Sequence, residues 1–525
     1  MLENVNMLHW FIALIPVATI LLLMMFLKWS GGKAGFFSWI LAIIISFLVF
    51  GGNFNLIAFA SLKGLWTTVF ILYIIWGAMA LFNIVDRVNG FEVIADKFTS
   101  LTGDDKLLQL LVVSWALTTF VQGVTGFGTP IAVSALLLVG LGFKPVIATA
   151  SSLMGHAWAV GFGSLGSSYG VLVNLSKLDP SGLAFWSSIF LAIICIMTGL
   201  SISFLYDGYK GLKHGFIAVL VMGLGMGGTL FLVANFVLPY IASLAAGTVG
   251  LILGALVLPK FNIYQKLNNK NNKNNKNNKK SNKEKIDFHT AFTPYYLLLS
   301  LVFIIYLTPL NDILSKFKIG FSFPKTVTSL GYVNKAVESY SPISILTTPG
   351  TLIVLSSILS IIIYKNKGLW KREYSREIFS NISSQALPST ITVMTMSMMS
   401  VVMMDSGMIN LLAQGTAQMA KEIYPIVAPI IGILGTFMAG STTSSNILFS
   451  AFQRDVAEII GLNSLAITSL QTAGGSLGKM MTPTTIALGT GVTNIVGREG
   501  EVMKKTMGYA IIMALIIGIG SYIIL

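Results

Sequence analysis

The chain has 525 residues, of which 54% are hydrophobic and only 10% charged, with a net charge of +14 and a mean hydropathy of +0.79. A soluble globular domain carries about 25% charged residues. The composition therefore excludes a soluble enzyme or a soluble binding module and describes an integral membrane protein that crosses the bilayer many times. Cys195 stands alone, and the four His residues include no H-E-x-x-H pattern, so no intrachain disulfide and no Cys-based metal site can form and no cofactor is expected.

Each crossing takes about 20 apolar residues. Spans are predicted near 7–27, 35–51 and 65–84. The first is too long and too poor in N-terminal basic residues for a cleaved signal peptide, and reads as a permanent anchor. Residues 107–143 come next, interrupted at "QGVTGFGTP" (122–130) by Gly123, Gly126, Gly128 and Pro130. Lipid offers no partner to a free N–H or C=O, so a break at that depth survives only where protein or a watery cavity surrounds it. Spans near 145–166, 182–206, 215–236 and 239–258 follow, the first of them broken at "MGHAWAVGFGSLGSS" (154–168).

Residues 260–285 hold nine Lys and one Glu, so +8 of the +14 sits in one Asn/Lys tract. Such repeats cannot bury apolar surface and read as a disordered linker, cytoplasmic by its Lys content. Spans near 290–309, 350–364 and 385–404 lie beyond it. Residues 394–404 contain six Met, read as adaptable packing. A second interrupted stretch, 424–460, breaks at "GSTTSSN" (440–446); the span 464–495 breaks at "TAGGSLGKMMTPTT" (472–485), and 504–525 closes the chain.

Lys28, Lys33, Arg87, Lys97, Lys106, Lys210, Lys213, the tract, Lys365, Lys367, Lys371, Arg372, Arg376, Arg498, Lys504 and Lys505 all fall on one side only if 107–143 and 424–460 each leave by the side they entered. The expected fold is all-α and polytopic, with about twelve transmembrane helices plus two re-entrant hairpins and both termini outside. It divides into an N-terminal half (1–259), a linker (260–288) and a C-terminal half (289–525). Fourteen full crossings is the competing layout.

The two interrupted stretches are alike. Each starts Thr-Phe with Gly three residues after the Phe (Gly123, Gly440); Gly142 and Gly461 come 19 or 21 residues later, and Gly155 and Gly474 a further 13. Entered from opposite sides, they describe an inverted repeat, in which paired discontinuous helices place substrate near the bilayer midplane. Helix N-termini at such breaks suit a small anion. Tight packing of small residues is the plainer reading of any one break; four in matching positions favour a binding site. Gln122, Thr125, Thr129, Ser441, Thr443, Ser444, Ser445, Asn446 and Ser476 can donate hydrogen bonds to a carboxylate, with Gly123, Gly126, Gly128, Gly440 and Gly475 allowing close approach. Lys479, within a break, calls for a negative partner or snorkels to the interface. His156 titrates near neutral pH or hydrogen-bonds in a packed interior. Arg454 and Asp455 read as a structural pair.

The segments "FVQGVTGFGTPIAVSALLLVGLGFKP", "GTFMAGSTTSSNILF", "GGSLGKMMTPTTIA" and "NIVGREGE" resemble the L-lactate permease family across both halves. The resemblance implies inward transport of lactate or glycolate with protons, within a larger group of ion transporters built with re-entrant hairpins. Where the family's first tip has Glu, this chain has Gln122; where the second has Asp, it has Thr442. With no carboxylate in the tips, Asp405, at the outer end of its span, becomes a candidate proton carrier, against the plainer reading of an exposed helix-end Asp. The expectation is therefore a secondary active transporter, proton-coupled, for a small organic monocarboxylate in the cell membrane. A passive anion channel is the nearest rival. An intramembrane hydrolase using Ser164 and His156 is remote, because no Gly-x-Ser-x-Gly elbow is present, and "AGGSLGKM" (473–480) lacks the Ser or Thr of a nucleotide-binding loop.

Overall fold

The computed structural model describes residues 6–25, 27, 29–103, 105–124, 128–260, 286–306, 308–495 and 498–525. The Asn/Lys tract 261–285 lies outside them, and so does the expected disorder of that linker. The helices run in the order α1 (Met7–Met25), α2 (Gly31–Val49), α3 (Phe54–Arg87), α4 (Gly90–Leu101), α5 (Lys106–Val124), α6 (Thr129–Gly140), α7 (Pro145–Ala157), α8 (Gly163–Ser176), α9 (Pro180–Phe236) and α10 (Pro239–Lys260). After the tract come α11 (Phe288–Tyr306), α12 (Pro349–Asn366), α13 (Arg372–Asp405), α14 (Met408–Ala420), α15 (Tyr424–Ala439), α16 (Thr442–Ile460), α17 (Ser464–Gly478), α18 (Pro483–Val492) and α19 (Glu499–Ile524). The protein is an all-α polytopic membrane protein. Among the described residues, eight helical stretches are long and apolar enough to cross a membrane.

That number is smaller than twelve for physical reasons. α9 is one continuous run of 57 residues, about 85 Å at the usual rise against a hydrocarbon core of about 30 Å. The chain resolves this by folding back at Asp207 and Gly208, where the backbone leaves the helical region (φ −147° and +54°). Gly215, Gly223 and Gly227 on the second limb then face Ser203, Ile196 and Ala192 on the first. Glycine at every fourth or eighth position lets two limbs approach closely, the usual device where lipid supplies no hydrophobic drive. Elsewhere α7–α8 and α17–α18 are each divided by a break, and so fall below the length of a single span.

α3 and α13 are both 34 residues long and lie along each other, with Gly64 so tight that an added Cβ would stand 2.6 Å from Met398 Cα. The expected spans 65–84 and 385–404 fall in the C-terminal parts of these helices. Their polar ends continue the helix: Asn53 caps α3 through the Leu56 N–H at 3.0 Å, and α13 begins at Arg372. Each long helix leads into a shorter amphipathic one, α4 or α14, which no predicted span covers.

Two helix pairs follow these in turn. At the open end of α5/α6, Lys106 Nζ donates to the Leu141 carbonyl at 2.8 Å. In α15/α16, the Tyr424 hydroxyl donates to Gln453 Oε1 at 2.7 Å. Gly155 of α7 lies against the Ser114 carbonyl of α5, and Gly474 of α17 against the Pro429 carbonyl of α15; a Cβ at either would overlap that backbone.

The sequence analysis assigned no structure between 310 and 348. A short helix (Leu310–Leu314) and four strands lie within it: β1 (Lys318–Phe323), β2 (Thr326–Val327), β3 (Val333–Asn334) and β4 (Val337–Ser344). β1 pairs antiparallel with β4, with Phe321 opposite Tyr340, and β2 with β3. They form a small cap at the far end of α11 from the Asn/Lys tract.

Candidate functional site

Four interruptions of regular helix converge from both halves of the chain. The first follows Val124, where α5 stops; Gly128 (φ +85°) then starts α6 at Thr129. Thr125 and Gly126 lie outside the described residues. The second separates α7 from α8: after the turn Val160–Phe162, Ser164, Leu165 and Gly166 all adopt left-handed backbone (φ 48°, 49° and 71°). Two non-glycine residues in that region store strain that only tightly packed surroundings sustain. The third is Gly440 (φ +74°) and extended Ser441 between α15 and α16. The remainder of "GSTTSSN", Thr442 to Asn446, is the first turn of α16 rather than loop. The fourth is the turn Lys479–Met481 and extended Thr482, before Pro483 opens α18.

The first turn of α16 joins the others. Thr443 Oγ1 lies 2.9 Å from Ser168 Oγ of α8. Asn446 Nδ2 donates to the Ser168 carbonyl at 3.1 Å and to Thr472 Oγ1 of α17 at 3.0 Å. Thr442 Oγ1 donates to the Gly475 carbonyl at 3.0 Å, the close approach that glycine at 475 permits. Lys479 Nζ donates to the Gly440 carbonyl at 2.8 Å, so the ammonium holds the turn between α15 and α16. Ser445 donates to the Gly432 carbonyl and accepts from Gln471 Nε2 at 2.9 Å.

The two broken helices meet as well. A Cβ on Gly161 would stand 3.4 Å from Ser476 Oγ and 3.6 Å from Thr472 Oγ1; Ser476 itself donates to the Thr472 carbonyl at 2.8 Å. Gln122, 2% exposed, packs against Gly163. His156, also buried, places Nδ1 3.1 Å from the Ser152 carbonyl. On the other side Gly128 faces Leu488 of α18, and Thr149 Oγ1 of α7 meets Thr493 Oγ1 at 3.0 Å. The return limb of each helix pair thus rests on the broken helix of the opposite half: α16 on α8, and α6 on α18.

Two buried amide oxygens at this junction, Gln122 Oε1 and Asn446 Oδ1, have no hydrogen-bond partner among the described residues. A buried unpaired acceptor costs about 1–3 kcal/mol, so it calls for a donor from elsewhere. No acidic side chain is among these contacts. The unpaired N–H groups at the start of α16 offer donors to a small anion, while the Asn446 amide and the Ser476 hydroxyl already donate within the protein; a hydroxyl on that anion would pair one of the two acceptors.

Not every candidate joins the cluster. Gly123 is a packing residue against the Leu244 backbone. Ser444 is buried beside its neighbours on the first turn of α16. Asp405 is not at a helix end in solvent: it is 8% exposed, and its Oδ2 accepts from Lys63 Nζ of α3 at 2.8 Å. Asn334 of β3 donates to its carbonyl at 2.8 Å. Arg454 and Asp455 pair directly at 2.5 Å, and Arg454 also donates to the Ser176 carbonyl. Ser164 and His156 share no hydrogen bond; the imidazole is engaged by the Ser152 carbonyl.

Sequence reasoning missed Ser168, Thr472, Gln471 and Lys63. Ser168 and Thr472 stand at the ends of two quoted breaks and carried a signal; their choice of partner is a tertiary fact. Lys63 was missed because the apolar window began at residue 65, although a lone Lys in an apolar helix is itself a marker.

The L-lactate permease family profile matches residues 9–525. The glycolate permease GlcA of Escherichia coli (strain K12) is 29% identical over 544 residues, covering 97% of this chain and 94% of that protein. The L-lactate permease of the same organism is 26% identical over 539 residues, with 97% and 94% covered. The L-lactate permease of Halalkalibacterium halodurans is 26% identical over 535 residues, with 98% and 96% covered. The chain belongs to the L-lactate permease family, whose members are membrane transporters and not enzymes.

Proposed function

We propose that the chain is a secondary active transporter that carries a small 2-hydroxy monocarboxylate, L-lactate or glycolate, across the plasma membrane together with protons. The observation that carries this reading is the pair of buried amide oxygens, Gln122 Oε1 and Asn446 Oδ1, unpartnered among the described residues, beside breaks where helix N-termini present free N–H groups. A carboxylate takes the free N–H groups at the start of α16, and its neighbouring hydroxyl donates to one of the two oxygens. The names of the relatives, lactate and glycolate permeases, fit that chemistry.

In this reading α5/α6 and α15/α16 are re-entrant hairpins entering from opposite faces, the two halves are inverted repeats, and the Asn/Lys tract is cytoplasmic. The return limbs crossing to the opposite half support it, as do the matched contacts of Gly155 and Gly474. Alternating access then moves the broken helices and hairpins against the long helices α3 and α13. Asp405, paired with Lys63 between those two helices, is the candidate for proton coupling.

Uptake of radiolabelled L-lactate and glycolate into vesicles, with and without an imposed proton gradient, tests the reading. Saturable, gradient-driven accumulation that also supports counterflow is expected. Flux no greater than in empty vesicles, for these and related small acids, overturns it, and flux without counterflow points to a channel.

A further inference from the structure

A cavity of about 260 Å³ lies away from the central breaks, where α3, α8 and the start of α12 meet the strand cap. Trp66, Phe70 and Tyr240 form an aromatic wall, and Asn174, Ser344 and Thr348 supply polar atoms. The 19 residues of α11, about 28 Å of helix, separate the strand cap, and the cavity beneath it, from the helix end at which the Asn/Lys tract joins. Asn174 stands six residues beyond Ser168 on α8, about 9 Å along the helix axis. The cavity is therefore one short step outward from the central junction.

Its chemistry favours an anion. Thr347 and Thr348 line it at the N-terminus of the 18-residue α12, where the partial positive charge of the helix is directed. Thr348 is 4% exposed, makes no side-chain cap to its own helix, and its hydroxyl has no partner among the described residues. Among the described residues that line the space none is acidic. At the lip, the exposed Lys177 donates from Nζ to Ser341 Oγ, itself a lining residue, at 2.6 Å. Both residues hold left-handed backbone, at φ 58° and 44°, a costly geometry maintained where packing imposes it.

We propose that this cavity is an outer binding site for the same class of ligand, a small organic carboxylate, which it holds before passage to the central junction. The carboxylate sits on the Thr348 hydroxyl at the α12 N-terminus; Lys177 attracts it, and Trp66, Phe70 and Tyr240 cover its apolar part. The volume, below the roughly 300–1,000 Å³ of pockets for drug-sized molecules, suits an acid of a few heavy atoms. The inference rests on the transport reading above.

Equilibrium dialysis of the purified full-length protein with radiolabelled L-lactate tests it. The natural chain binds two equivalents. Asn446→Leu, which removes the central contacts, keeps one, and adding Thr348→Val weakens that remaining site by about tenfold or more, the expected loss of a hydrogen bond to a charged group. Lys177→Gln weakens it in a salt-dependent manner. Thr348→Val alone, a change of one hydroxyl that spares the fold, loses one of the two equivalents. If the natural chain transports lactate but binds one equivalent, or if Thr348→Val changes nothing, the outer site is wrong and the transport reading stands. If the natural chain neither binds nor moves lactate or glycolate, the transport reading itself falls and takes this site with it.

Discussion

Asn446 and Ser168 are 278 residues apart in the chain, yet the Asn446 amide donates to the Ser168 carbonyl at 3.1 Å. One side chain at the first turn of α16 thereby ties the C-terminal half to the broken helix of the N-terminal half, and through Thr472 to its own broken helix. Replacing it by Leu leaves a carbonyl and a hydroxyl unpaired, at about 1–3 kcal/mol each. Asn446→Leu is expected to lower the kcat/KM of uptake at least about tenfold. Ser168→Ala keeps the carbonyl and should cost less. Equal losses in vesicle uptake would show that the contact is not special.

Lys479 holds the Gly440 carbonyl while lying at the break that an anion approaches. The two roles separate by substitution. Lys479→Ala removes both, whereas Lys479→Gln can still donate to Gly440 but carries no charge. If the ammonium meets the substrate carboxylate, both variants raise KM for uptake by roughly tenfold. A normal KM in the Gln variant would reduce Lys479 to a strut for the turn.

Gly155 and Gly474 each receive a carbonyl oxygen where a Cβ would sit, from Ser114 and Pro429 respectively. Ala at either site forces the broken helix off its neighbour, and overpacking costs typically about 1–3 kcal/mol. Thermal melting of the detergent-solubilised protein should fall for Gly155→Ala and Gly474→Ala alike. Gly228→Ala, which meets open space, should melt like the natural chain. A drop confined to one half would argue against equivalent roles.

Lys63 and Asp405 form a buried pair, their side chains 5% and 12% exposed, with Phe323 and Tyr340 of the cap 5.7 Å from the ammonium. Removing one partner strands the other, at about 3–5 kcal/mol. Asp405→Asn is therefore expected to destabilise the protein. If the carboxylate also carries the proton, Asp405→Asn abolishes gradient-driven accumulation but leaves counterflow. A Lys63→Met/Asp405→Leu double variant that still accumulates lactate would assign the pair to structure alone.

The parts of this architecture that depend on local rules were readable in the sequence. Gly128, Gly440 and the Gly-Ser runs mark breaks because lipid penalises free backbone groups, and four breaks in matched order suggested one site. The parts that depend on tertiary partners were not readable. Asp405 resembled a helix-end carboxylate because Lys63 is 342 positions away, and nothing local to either residue names the other. The strands between Lys318 and Ser344 escaped notice because a membrane-length window averages their short alternation away. The fold-back at Gly208 was legible because Asp207, Lys210 and Lys213 interrupt the apolar run, whereas the pairing of Ser168 with Thr443 had no local trace.

The most direct measurement is substrate protection of a cysteine at position 443, in a chain whose buried Cys195 has been replaced by Ala. Thr443 faces Ser168 where the two halves meet. A small water-soluble thiol reagent should reach Thr443→Cys, and L-lactate or glycolate should slow its modification over the same concentration range that saturates uptake. Modification that proceeds at the same rate in saturating substrate, in protein that still transports it, would place the substrate somewhere other than between these breaks.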